Sequence, residues 1–70
     1  MENFKIEISS VFDKENLVAE IWYNEILVAE LNQEKDNLEI EFYLSKEIKF
    51  DFEEFLKTLD SARKLLRKND

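Results

Sequence analysis

The stretch Leu17–Leu31, LVAEIWYNEILVAEL, constrains the fold most. Two runs rich in β-branched, aromatic and aliphatic residues flank Asn24-Glu25, which is the pattern of a hairpin. Strand side chains alternate faces with a period of two, so loop length sets the register and the register sets what is buried. A two-residue loop at Asn24-Glu25 puts Trp22 opposite Leu27, Glu20 opposite Ala29 and Ala19 opposite Glu30, which mixes apolar and acidic side chains on both faces. A three-residue loop over Tyr23–Glu25, a type I turn followed by a bulge residue, puts Ile21 opposite Leu27, Ala19 opposite Ala29 and Leu17 opposite Leu31. One face then becomes wholly apolar, so this second register is the expected one. Its other face sets Trp22 opposite Ile26, Glu20 opposite Val28 and Val18 opposite Glu30. The bulge position takes a positive φ, which costs a residue such as Glu25 roughly 1 kcal/mol.

The same alternation extends on both sides. Phe4, Ile6, Ile8 and Phe12 occupy even positions with Lys5, Glu7 and Ser9 between them, and predict a strand over 3–12. Asp13-Lys14-Glu15-Asn16 is the next turn, and closing it with Phe12 opposite Leu17 sets Ile8 against Ile21. Leu38, Ile40, Phe42 and Leu44 alternate with Glu39, Glu41 and Tyr43, with Leu31 opposite Leu38. Strands are thus expected over 3–12, 17–23, 26–31 and 38–44, and Ile48 with Phe50 leaves a short fifth strand over 47–50 open. A helix is expected over 52–67. Asp51 with Glu54 three residues on is a capping-box pattern, and Phe50 and Phe55 occupy the staple positions around it. Phe52, Phe55, Leu56, Leu59, Ala62, Leu65 and Leu66 then recur at helical spacing. Glu53 and Glu54 near the start and Arg63, Lys64, Arg67 and Lys68 near the end suit the helix dipole. The fold class is therefore α+β, one domain over 1–70, with an antiparallel four- to five-stranded meander sheet and one C-terminal helix packed on one face.

Composition narrows the chemistry. The chain has no Cys, His or Gly, which removes disulfides, the commonest zinc and haem ligands, the commonest general base and any glycine-rich phosphate loop. No Ser or Thr has a His to activate it, so no enzyme and no cofactor are expected. A carboxylate-only site at Glu30, Asp36 and Glu39 is the one metal option, and it lacks the spacing of a known loop motif. The start, MENFKIEISS, has neither a basic lead nor a long apolar run, so a cytoplasmic protein that does not engage membranes is expected.

Net charge is −7, unevenly spread: residues 1–60 carry sixteen acidic and six basic side chains, while four cations crowd the end. Such a body repels nucleic acid directly and favours a basic protein partner. A sheet covered by one helix leaves its other face in water. In the expected register that face gathers Glu20, Trp22, Ile26, Val28, Glu30, Glu39, Glu41 and Tyr43, an aromatic and aliphatic centre flanked by carboxylates. Cross-strand pairing and solubility account for many of these residues. Glu30 beside Glu39 does not fit that account, because like charges opposite each other destabilise a sheet. As a contact surface, the aromatics are anchors and the acids steer a basic partner. Mutual repulsion predicts a monomer or a weak homodimer. The same carboxylates also suit a nucleic-acid mimic that inhibits a DNA-processing or phage-defence enzyme, and a homo-oligomeric accessory protein stays open as well.

The strings EIWYNEILVAELNQE and NLEIEFY, followed by FDFEEFLKTLDSARKLL, are similar to small bacterial immunity proteins of polymorphic or contact-dependent toxin systems. The likeness runs from Ala19 to Leu66, and differs at the hairpin turn, where the family pattern has Gly and this chain has Glu25. The resemblance implies a non-enzymatic antitoxin that binds a cognate toxin domain, often a nuclease, and occludes its active site.

Overall fold

The alternating segments form a four-stranded antiparallel sheet in a computed structural model that describes residues 3–12 and 14–68. Strands β1 (Phe4–Ser9), β2 (Val18–Tyr23), β3 (Ile26–Asn32) and β4 (Glu39–Phe42) follow one another in that order, and helix α1 (Phe52–Lys68) packs on one face. This is the α+β meander that the alternation predicts.

The pairings differ from the expected ones in an instructive way. Ile21 faces Ile6 rather than Ile8, Ala19 faces Leu31 rather than Ala29, and Leu31 faces Ile40 rather than Leu38. The β1–β2 and β3–β4 ladders have slid by two residues, as has the part of the β2–β3 ladder beyond its bulge. A slide of two leaves the side chains of those segments on their own faces, so Ala19, Ile21, Ala29 and Leu31 still form the buried core, joined by Val28, Ala62 and Leu66.

The slide in the hairpin has a local cause. Its loop is the two-residue Asn24-Glu25, and both residues have positive φ, 46° and 68°, as the type I′ turn favoured by strand twist requires. Tyr23 faces Ile26 and Trp22 faces Leu27, and then a bulge inserts Val28 so that Ile21 faces Ala29 and Glu20 faces Glu30. The irregularity expected in the turn thus sits in the strand, where it restores the apolar phase. Glycine is the residue preferred at the second loop position, so Glu25→Gly is expected to raise stability by about 1 kcal/mol. That should appear as a melting temperature higher by roughly 4–8 °C in a domain of this size. An unchanged or lower melting temperature would mean that Glu25 carries no such backbone cost.

Strand ends differ too. β1 stops at Ser9 instead of 12, and Phe12, expected opposite Leu17, is fully exposed; Asp13 of that expected turn lies outside the described residues. No strand forms over 47–50 among the described residues. There the chain must travel from β4 back to the hairpin end of β1, and Phe50 goes into an aromatic cluster with Phe4, Tyr23 and Phe55, at ring-centroid distances of 5.1, 4.8 and 5.2 Å.

The helix starts where its signals place it. The Glu54 N–H donates to Asp51 Oδ2 (3.0 Å), the Phe55 N–H donates to the Asp51 carbonyl (3.0 Å), and the Phe50 and Phe55 rings stack. A helix is about 10 Å wide and strands lie about 4.8 Å apart, so one helix covers about two strands. α1 packs on β1 and β2. It buries Ala62 and Leu66 but leaves Phe52, Leu56 and Leu65 exposed, together with Ile40 and Phe42 on the same side of β4. Among the described residues no helix is long and apolar enough to cross a membrane.

Candidate functional site

On the face away from α1, the registers line up four glutamates. Glu7 faces Glu20, Glu20 faces Glu30 and Glu30 faces Glu41, so one row of carboxylates crosses all four strands. Like charges directly opposite one another destabilise a sheet, and the surrounding side chains answer that repulsion with donors. Lys5 Nζ lies 2.9 Å from Glu7 Oε1. The Trp22 indole N–H donates to Glu20 Oε1 (3.3 Å). Glu41 accepts from the Asn32 amide (3.1 Å) and from the Tyr43 hydroxyl (3.3 Å). Burial first, then the nearby Glu30 and Glu41 carboxylates, pushes the Tyr43 hydroxyl above its ordinary 10.0.

Lys14 joins the row from the β1–β2 loop. Its Nζ is 3.7 Å from Glu30 Oε1 and 3.4 Å from Glu41 Oε1, and the Lys14 and Glu30 side chains are only 14% and 6% exposed. The loop is fastened by Glu34, whose carboxylate accepts the N–H groups of Glu15 (3.0 Å) and Asn16 (2.9 Å). Asn16 and Gln33 add cross-links to the Gln33 and Leu17 carbonyls. The Glu15 and Asn16 N–H groups hold the Glu34 carboxyl below its ordinary 4.5. The ionised clasp is therefore favoured above that ordinary value and is lost as pH falls through the lowered one. Val18 faces Ser9 on this same side and is wholly buried, so the loop roofs one end of the face and leaves the hairpin end open. There a shallow pocket of about 280 Å³ is lined by Lys5, Glu7, Trp22 and Glu25.

Of the residues that the sequence assigned to a partner surface, Glu20, Trp22, Glu39, Glu41 and Tyr43 are at least partly accessible on this face. Glu39 faces Asn32 and pairs with Lys35 (3.4 Å). Three assignments need correction. Val28 is fully buried in the core cluster, as the extra residue of the bulge. Glu30 is 5% exposed, beneath Lys14. Ile26 faces Tyr23, which shares its row with Phe4, and so sits on the helix side rather than beside Trp22. The carboxylates of Glu30, Asp36 and Glu39 are not gathered, and no group of three or more acidic side chains that could hold a metal ion occurs among the described residues.

Glu7 and Lys14 were missing from the expected set. Alternation already put Glu7 on this face, and only the two-residue slide brings it level with Glu20. Lys14 has no signal in the sequence, because its reach depends on how the loop folds back. The face as a whole is built to accept hydrogen bonds from ammonium or guanidinium groups, with an indole and a phenol beside the acceptors. Comparison with protein families, with curated proteins and with solved structures gave no match.

Proposed function

We propose that this chain is a binding module that neutralises a basic protein domain, in the manner of an immunity protein that shields the cell from a cationic, nuclease-type toxin. The observation that carries the reading is the unbroken row Glu7, Glu20, Glu30, Glu41 beside Trp22 and Tyr43. A sheet tolerates such a row at a cost in stability, and a cationic partner returns that cost on binding. Trp22 and Tyr43 are anchor types that concentrate binding energy, and the carboxylates around them set encounter rate and orientation. The partner's Lys and Arg side chains would engage Glu7, Glu20 and Glu41, while Glu30 stays with Lys14. A nucleic-acid mimic is less well supported, because Lys5 and Lys14 pair with carboxylates of the row and offset part of its negative charge.

The test is co-expression with the product of the adjacent gene, expected to be lethal alone and harmless beside this chain. Trp22→Ala combined with Glu20→Lys should keep the fold and abolish protection, with affinity reduced roughly thirtyfold or more. Wild-type binding should weaken as salt rises. Full protection by the folded double variant overturns the use of this face, and a neighbour that is harmless on its own removes the antitoxin reading.

A further inference from the structure

β4 is an edge of the sheet; it is short and carries Glu39 and Glu41, but it has none of the lysine, proline or bulge that also keep an edge from pairing with another chain. Residues 39–44, EIEFYL, contain no Lys and no Pro, and no bulge interrupts the β3–β4 pairing. The opposite edge, β1, carries Lys5 in an ion pair with Glu7. On the helix side of β4, Ile40, Phe42 and Leu44 are 37%, 54% and 42% exposed, because α1 covers the other half of the sheet.

The backbone fixes which residues face the free edge. The Tyr43 N–H bonds back to the Val28 carbonyl (2.9 Å), so the odd residues of this segment bond to β3. The even ones, Ile40, Phe42 and Leu44, then turn their N–H and C=O groups outward, as an antiparallel ladder requires. The geometry points to a second copy of this chain as the occupant, paired antiparallel through β4 on a twofold axis at Phe42, to make one continuous eight-stranded sheet.

Charge selects that centre. With Phe42 facing Phe42, Ile40 faces Leu44 of the second copy, and the helix side becomes an apolar row. On the other side Glu41 faces the second copy's Tyr43 and Glu39 faces its Ser45, so no two like charges meet. Centring on Glu41 sets Glu41 against Glu41, and centring on Ile40 sets Glu39 against Glu41, both of which are unfavourable. Centring on Tyr43 keeps Phe42 against Leu44 but puts Ile40 against Lys46 and Glu39 against Glu47, again like charges. A dimer made by stacking the two helix faces does not fit either, because it would bury the charged outer side of α1, where Glu53, Lys57 and Lys64 are exposed. The pairing leaves the carboxylate face in solution and does not depend on the function proposed above.

The chain has no cysteine, so single-cysteine variants read the register directly. In the dimer two Phe42→Cys copies have Cα atoms about 5.5 Å apart, inside the range that a disulfide spans. Two Ile40→Cys copies lie about 13 Å apart along the strands and cannot be joined. Under mild oxidation Phe42→Cys is expected to cross-link at least tenfold faster than Ile40→Cys. Sedimentation equilibrium of the wild type should show a dimer that strengthens as sodium chloride rises, because salt screens the repulsion between two chains of charge −7. A basic partner on the carboxylate face would give the opposite salt dependence. Phe42→Glu, at an exposed position, should fold and sediment as a monomer. A wild type that is monomeric at every concentration, as expected if the strip receives a strand or helix of another protein, overturns the inference. Equal cross-linking of the two cysteine variants, or a dimer that survives Phe42→Glu, does so as well.

Discussion

Ile21→Ala is expected to cost about 3–4 kcal/mol, the upper part of the range for removing a fully buried Ile or Leu side chain. Ile21 has no exposed surface and lies at the middle of β2, between Ile6 and Ala29, beneath the helix that buries Ala62 and Leu66. A domain of this length holds only about 4–10 kcal/mol in total, so the variant should lose a large share of its stability. Its urea midpoint should drop with little change in slope. Leu27→Ala provides the comparison. In the register expected from the sequence Leu27 pairs with Ile21 in the core, whereas the bulge places it opposite Trp22, half-buried. Its loss should therefore be less than half that of Ile21→Ala. Equal losses would mean that the bulge at Val28 is absent and that the three-residue loop is the real one.

What the sequence disclosed, and what it did not, follows from the period of a strand. Alternation told inward from outward for Phe4, Ile6, Ala19, Ile21, Ala29, Leu31 and Ile40, because face depends only on parity. It could not tell Ile6 from Ile8 as the neighbour of Ile21, since both satisfy the same pattern, and the β1–β2 and β3–β4 pairings, with the part of β2–β3 beyond the bulge, slid by two residues as a result. The helix was legible to within a residue because its start is written in local chemistry, with Asp51 capping Glu54 and Phe50 stacked on Phe55. The hairpin was the harder case. A positive φ at Glu25 was foreseen, but Asn24 shares it, and the parity mismatch was resolved inside β3 rather than in the turn. That one displacement moved Ile26 to the helix side and put Val28 in the core, and the accompanying slide brought the acids into a single row. The carboxylate face was thus visible in outline, while its order was not.

The second large effect is expected at Lys14. Its ammonium and the Glu30 carboxylate are both largely withdrawn from water. A pair in that setting contributes modestly when whole, but leaves an uncompensated buried charge when one partner is removed, at about 3–5 kcal/mol. Lys14→Met keeps most of the unbranched stem and deletes the charge. It should cost about 3 kcal/mol by urea unfolding, because Glu20 and Glu41 then press on a carboxylate that has lost its cation. Adding Glu30→Gln removes the stranded charge, and the double variant should recover at least about half of the loss, a coupling well above the few tenths found between independent sites. If the double variant is as unstable as Lys14→Met alone, Lys14 acts through loop packing and the row is held by its other donors. If Lys14→Met costs under about 1 kcal/mol, the pair is solvated like a surface pair. In the expected case the lysine that roofs the row makes it tolerable in the free protein: it neutralises the one glutamate that no partner can reach and leaves Glu7, Glu20 and Glu41 facing the open end of the sheet.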